Sequence, residues 1–255
     1  MVMPKSINKT VLDNGVRIVS KYMPHVRGMS MGVWVSVGAR DEASSQNGIS
    51  HLIEHMLFKG TQKRSGYEIA KAFDAIGGHT NAFTSMENTC YHAKVMDAHL
   101  ETMVEILSDI FLNSVFAADD VTKERPIILQ EINMVEDNPD EYVHVLTGRN
   151  FWGDNPLGRS ILGSRENVSG FTREKIKDFF QCNYLPDRII ISAAGNLDHH
   201  HFVDQIGPLF EVLPGKNGFM SRQTPKSNPC INLHYRDLEQ AHICVGTQGL
   251  AIGDP

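Results

Sequence analysis

HLIEHMLFKGT, residues 51–61, lies where the hydrophobic period of the chain changes. Upstream, MSMGVWVSVGAR (29–40) alternates, with Met31, Val33, Val35 and Val37 on one strand face. From Asn47 to about Lys59 the apolar residues Ile49, Leu52, Ile53, Met56 and Leu57 recur at helical spacing, with Asn47 as the expected cap and Gly60 as the stop. Strand pattern followed by helix pattern recurs along the chain, and this sets the fold class.

TVLDNGVRIVSKYM (10–23) reads as a hairpin with Asn14-Gly15 as a two-residue turn. GYEIAKAFDAIGG (66–78) reads as a helix closed by its glycine pair. HTNAFTSMENTCYHAKV (79–95) reads as two strands around a turn at Met86–Asn88. Helices are expected at 97–113, 119–137, 140–152, 172–183 and 198–210, with a buried strand at 188–195. Strands and helices cluster without strict alternation, so the expected fold is α+β: a mostly antiparallel sheet with helices packed on one side. Residues 214–230 are rich in Pro, Gly, Ser and Asn and read as a linker after a first domain, 1–213. Residues 231–255 weakly repeat the chain's beginning, with CVGTQG (244–249) opposite VWVSVG (33–38). They are expected to open a second, homologous domain of which the chain holds only the first part.

A net charge of −6 and the absence of a Lys/Arg block exclude a nucleic-acid partner. No run approaches 18 apolar residues, so no membrane span is expected. The N-terminal MVMPKSINKTVLDNG lacks the apolar core of a signal peptide. Four scattered cysteines without a CxxC pair suit reduced thiols, and the expected location is cytoplasmic.

Along a helix that turns ~100° per residue, His51 and His55 lie ~40° apart, one turn apart on the axis, so both imidazoles reach one cation. Glu54 lies ~60° to the other side of His51, placed to touch a water there without being a ligand. HxxEH is the inverse of the HExxH metalloprotease order. A catalytic zinc needs a third protein ligand. KERPIILQEINMVEDN (123–138) offers Glu124 and Glu131, two turns apart on one helix face, one to bind and one to orient a ligand. The competing account is a pair of hydrogen-bonded core histidines.

HLIEHMLFKGT, with a glutamate in ERPIILQEI 76 residues after His55, resembles the pitrilysin/insulinase family of inverted zincins. Within it the likeness is to bacterial members similar to the mitochondrial processing peptidases (beta-subunit-like). AKAFDAIGGHTNAFTSMENTCYHAKV (70–95), NPLGRSILGSRENVSGFT (155–172) and AAGNLD (193–198) extend the resemblance over residues 8 to 255. It implies a fold that is one half of a two-domain clamshell repeat. It also implies a zinc endopeptidase acting on short or unfolded polypeptides. His51, His55 and Glu131 would bind one Zn²⁺ per chain. Glu54 would be the general base on the zinc-bound water, and Glu124 would support a ligand. Asn81, Ala82 and Phe83 would hold the substrate backbone by β-augmentation. Phe58 would line the pocket after the cut, with core packing as its alternative role.

Three departures qualify the resemblance. Pro126 lies inside the ligand helix, where it removes a backbone hydrogen bond and is expected to kink the axis. Of the acidic pair that receives a substrate arginine in processing peptidases, Glu141 matches the first member and Val145 replaces the second. The run Glu136, Asp137, Asp140, Glu141 still suits a basic peptide, or else is a solvated face. The family's carbonyl-assisting Arg/Tyr pair falls in the second domain, beyond this chain. The family works as a clamshell of two two-domain halves, commonly as dimers, so the resemblance implies a homodimer or a heterodimer with a related subunit. The competing function is a non-catalytic structural or partner subunit of the same fold, against which stands the presence of His51, Glu54, His55 and Glu131. The run His199–His201 cannot chelate jointly from one helix and is expected to be solvated.

Overall fold

In the computed structural model, which describes residues 7–215 and 222–251, one six-stranded sheet organises the chain. Its strands are β1 (Asn8–Val11), β2 (Arg17–Tyr22), β3 (Gly28–Val35), β4 (His79–Thr84), β5 (Thr89–Met96) and β6 (Ile189–Gly195), in the order β1-β2-β6-β3-β5-β4. The β2–β6 pair is parallel, and every other neighbouring pair is antiparallel. Eight α-helices are present among the described residues: α1 (Ile49–Leu57), α2 (Gly66–Ala75), α3 (Leu100–Asn113), α4 (Ala118–Asp137), α5 (Pro139–Trp152), α6 (Arg165–Gly170), α7 (Arg173–Asn183) and α8 (His199–Glu211).

Strand alternation divides the sheet into two faces. Ile18, Met31, Val33, Val35, Tyr91, Ile189 and Ile191 are buried in one core with α1, α3, α7 and α8. The opposite face carries Val19, Gly32, Trp34, Phe83, His92 and Ser192, which line a shallow groove. The α+β expectation, with helices gathered on one side, is the observed fold. β4 is an edge strand. Thr80, Ala82 and Thr84 turn toward the helices and are at least partly buried, whereas His79, Asn81 and Phe83 are exposed.

Several local expectations differ from the structure. The first hairpin does not close on a two-residue turn: Leu12 N–H donates to Val16 O, so the loop proper is Asp13–Gly15, with Gly15 at φ +100°. Asn47 does not cap α1. The cap is Gly48, also at φ +100°. The free N–H groups are taken instead by Glu42, which accepts from Gly48 N and Ser50 N at 2.8 Å each and from Asn47 Nδ2 at 2.9 Å. A Cβ at Gly48 would lie 2.7 Å from Leu162 O, so glycine there admits the 155–163 loop against the start of α1. His199 is not solvated. It is buried, with Thr10 Oγ1 at 2.9 Å from Nε2 and Ser20 Oγ at 2.8 Å from Nδ1.

Residues 222–251 form no helix or strand, although Ile231, Leu233, Tyr235, Ile243 and Val245 alternate along them with their side chains exposed. Part of the expected linker and the last residues of the chain lie outside the described residues. Among the described residues no helix is long and apolar enough to cross a membrane.

Candidate metal centre

α1 is short, and its apolar side is fully buried: Ile49, Leu52, Ile53, Met56 and Leu57 are each inaccessible. That anchoring leaves His51, Glu54 and His55 on the side facing α4 and the β4 edge, where α1 packs against both. The two imidazole centroids are 4.7 Å apart.

From α4, Glu131 meets both histidines: Oε2 is 3.7 Å from His51 Nε2, and Oε1 is 3.8 Å from His55 Nε2. One ligand atom from each of His51, His55 and Glu131 falls within 4.8 Å of the others. These gaps are too long for hydrogen bonds. Glu131 Oε2 is buried without a hydrogen-bond partner, which is costly unless a cation completes the site. A tetrahedral zinc with bonds of ~2.0–2.1 Å would space its ligand atoms roughly 3.3 Å apart, so a small closure suffices. Two imidazoles and a carboxylate are a zinc-type donor set. Burial, reinforced by the neighbouring His55, lowers His51 to about 4, so at neutral pH its lone pair is available.

Pro126 does not divide the ligand helix, since α4 runs unbroken from Ala118 to Asp137. Glu124, one turn-pair before Glu131, is buried. Its Oε2 is 3.1 Å from His55 Nδ1 and its Oε1 is 2.7 Å from Lys59 Nζ. Holding Nδ1–H leaves Nε2 of His55 as the free lone pair on the Glu131 side.

Glu54 points to β4. Thr84 Oγ1 donates to Glu54 Oε2 at 2.6 Å. Burial raises the Glu54 carboxyl above its ordinary range, with the Glu131 carboxylate adding to it and the Thr84 hydroxyl opposing.

The remaining candidates spread outward. Asn81, Ala82 and Phe83 lie on the free edge strand, where Asn81 Oδ1 accepts the Ala82 N–H at 2.8 Å. The Phe83 ring stands edge-on to Trp34 at 5.5 Å. Phe58 caps α1, packs on the core and lies 6.4 Å from the buried Tyr91 ring. Glu141 is exposed in the first turn of α5 and is not part of the metal cluster. Of the acidic run, Asp137, Asp140 and Glu141 are exposed and Glu136 is half-buried. His242 Nδ1 pairs with Asp140 at 2.8 Å, and the Arg236 guanidinium lies 5.4 Å from the Tyr142 ring centroid.

Sequence reasoning missed Thr84, Lys59 and Glu42. Lys59 had a signal, standing four residues beyond His55 and so on its side of the helix. Thr84 shares the inward face of β4 with Ala82, a period-two relation that the strand reading already contained. Glu42 had no local signal, because its partners come from the next segment.

Residues 17–165, which contain His51, Glu54, His55, Glu124 and Glu131, match the family described as Insulinase (Peptidase family M16). Residues 170–255 match the Peptidase M16 inactive domain. A Streptomyces coelicolor protein named an uncharacterized zinc protease is 40% identical over 98% of this chain and 56% of its own length. A Bacillus subtilis protein of the same description is 40% identical over 97% of this chain and 60% of its own. The chain thus spans somewhat over half the length of these curated relatives. Its fold is similar to the crystal structure of a protease from Helicobacter pylori, with TM-score 0.79 and 23% identity over 87% of this chain and 53% of that one. With the inverted histidine–glutamate helix, the α4 carboxylates and a family match over residues 17–165, the chain belongs to peptidase family M16, the insulinase family.

Proposed function

We propose that this chain carries the metal centre and general base of a zinc-dependent endopeptidase acting on short or unfolded polypeptides. The observation that carries the reading is the convergence of His51, His55 and Glu131 at one point with Glu54 beside them. The names of the relatives support zinc and proteolysis. The inactive-domain match begins after all of these residues.

In this reading His51, His55 and Glu131 hold one zinc ion, and Glu124 fixes the His55 tautomer. Zinc, when bound, supplies Lewis-acid polarisation of the scissile carbonyl and acidifies water. Glu54 takes the proton of the attacking water and returns it to the leaving amine, a cycle suited to a carboxyl raised by burial. The β4 edge at Asn81–Phe83 takes the substrate backbone as an added strand, displacing the Asn81 side chain from the Ala82 N–H. Phe58 borders the pocket beyond the cut. Glu141 and its acidic neighbours favour basic peptides, in the manner of a processing-peptidase-like subunit. The exposed alternating residues of 231–250 suit the first strands of a second, homologous domain joined by 214–230, the two forming half of a clamshell that pairs with a second copy or a related subunit. Unpaired thiols fit a reducing, cytoplasmic setting.

The test is metal content of the purified chain beside its His51→Ala variant, with a fluorogenic peptide assay on the full-length protein. About one zinc per chain, lost in the variant and accompanied by turnover, is expected. Folded wild-type protein without stoichiometric zinc overturns the reading and favours a structural subunit. Zinc without turnover in the full-length protein overturns the catalytic part alone.

A further inference from the structure

The β4 edge strand and the base on α1 meet at one residue, Thr84, chiefly through its hydroxyl and to a smaller degree through its backbone. Thr84 ends β4 and donates its hydroxyl to Glu54 at 2.6 Å, the short distance of a charge-assisted O–H···O⁻ bond. Phe83, the preceding residue, faces the opposite side of the sheet, so one strand presents its edge for a peptide and its inward side chain for the base.

The structure around Thr84 is unusually constrained for a hairpin end. The following turn is closed by Ser85 N donating to Asn88 O at 2.8 Å and by Ser85 Oγ accepting from the backbone of Glu87 and Asn88. The segment after β3 then grips the turn from outside: Ala39 N donates to Ser85 O, and Arg40 N to Met86 O at 2.8 Å. Gly38 is what permits this approach, because a Cβ there would lie 2.4 Å from Ser85 O. Arg222 adds a third hold. Its guanidinium forks onto Asp41 at 2.8 Å through two nitrogens and also donates to Glu87 O at 2.7 Å. A hydroxyl on so fixed a support has little freedom to move with its partner.

We infer that Thr84 is a positioning residue for Glu54, holding the base in register with the strand that receives the substrate backbone. The inference rests on the peptidase reading above and deepens it. Glu54 is a long, half-buried side chain whose one side-chain hydrogen bond among the described residues is to Thr84, and a base displaced by ~1 Å loses much of its effectiveness. Because the hydroxyl and the edge belong to one rigid strand, a peptide laid on β4 is placed relative to the base without any further adjustment. The hydroxyl touches neither the proposed zinc ligands nor the edge, so its loss is expected in kcat and not in KM or zinc content.

The experiment compares the zinc-loaded full-length protein with its Thr84→Val, Thr84→Ser and Thr80→Val variants. Thr80 is the control, an inward hydroxyl on the same strand whose partner is the His92 carbonyl at 3.1 Å. Thr84→Val is expected to keep one zinc per chain and a KM within about twofold while kcat falls about 10- to 100-fold. Thr84→Ser is expected to restore most of kcat, and Thr80→Val to leave it unchanged. Crystals of metal-free Thr84→Val are expected to show the Glu54 carboxylate moved from its wild-type position. The inference is overturned by a kcat within about threefold of wild type, by zinc lost together with activity, by an equal loss in Thr80→Val, or by an unmoved Glu54. A wild-type protein with neither zinc nor turnover refutes the peptidase reading itself, and the crystal comparison then still decides whether Thr84 sets Glu54.

Discussion

Glu124 Oε2 lies 3.1 Å from Nδ1 of His55, while its other oxygen takes the Lys59 ammonium at 2.7 Å. The buried carboxylate thus has one cation partner and one imidazole to orient. Glu124→Gln keeps the size but removes the charge, so it weakens both holds. The expected outcome is zinc affinity lowered about 10- to 100-fold with the helical content unchanged, read by competition against a chromogenic chelator. Undiminished affinity would show that His55 is oriented by something other than Glu124.

Glu54→Gln separates the proposed base from the proposed metal site. Glutamine can still accept the Thr84 hydroxyl through its carbonyl oxygen, so the local packing survives, but it cannot take a proton from water. Zinc content should stay near one per chain while kcat falls by about 10²- to 10⁴-fold. Metal analysis and peptide turnover on the same sample check this. Zinc lost with activity would make Glu54 a ligand, which its bond to Thr84 argues against.

How far the site was legible follows from how local its physics is. His51 and His55 are related by helix period alone, and Glu124 and Glu131 by two turns of another helix, so spacing sufficed for both pairs. Joining the pairs needed the packing of α1 on α4, which no spacing contains. The fold class followed from period changes at residues such as Val37 and Ile49. The position of β6 between β2 and β3 did not, because that pairing joins residues about 150 or more apart in the chain. Asn47 looked like a cap because caps are usually local, and Glu42 won because a buried carboxylate satisfies two N–H groups and an amide at once. The histidine run misled for a similar reason: His199 has two hydroxyl partners on β1 and β2, far away in sequence.

That buried histidine makes stability depend on pH in a definite direction. Burial is the main cause lowering His199 below its ordinary value, with the His200 charge adding to it and Asp198 opposing. The native state therefore binds fewer protons than the unfolded state between the lowered native value and the usual ~6.5. The contribution is fully present above ~6.5 and is lost as pH falls from there toward the native value. His199→Gln, which can still meet Thr10 and Ser20, should flatten that part of the profile. Urea midpoints of metal-free wild type and variant from pH 7.5 to 5 test it: wild type should lose more stability on acidification. Parallel profiles would show that His199 titrates alike in both states.

Glu42 is expected to connect the stability of α1 to the proposed metal site. Its carboxylate takes Gly48 N and Ser50 N, two of the N–H groups a helix start leaves without partners, and His51 is the next residue along. Removing it in Glu42→Ala strands those donors in a buried site and should cost about 2–4 kcal/mol. Glu42→Gln should cost less, because burial already raises the Glu42 carboxyl toward its neutral form and an amide oxygen can still accept one bond. The two costs then have a functional counterpart. If the first turn of α1 frays, His51 loses its fixed direction toward Glu131 while His55, a turn further in and held by Glu124, does not. Zinc affinity should therefore fall in the order wild type, Glu42→Gln, Glu42→Ala, measured on protein that is still folded by circular dichroism. Variants that are less stable yet bind zinc as wild type does would show that the ligand geometry is set by the packing of α1 on α4 and owes nothing to its cap.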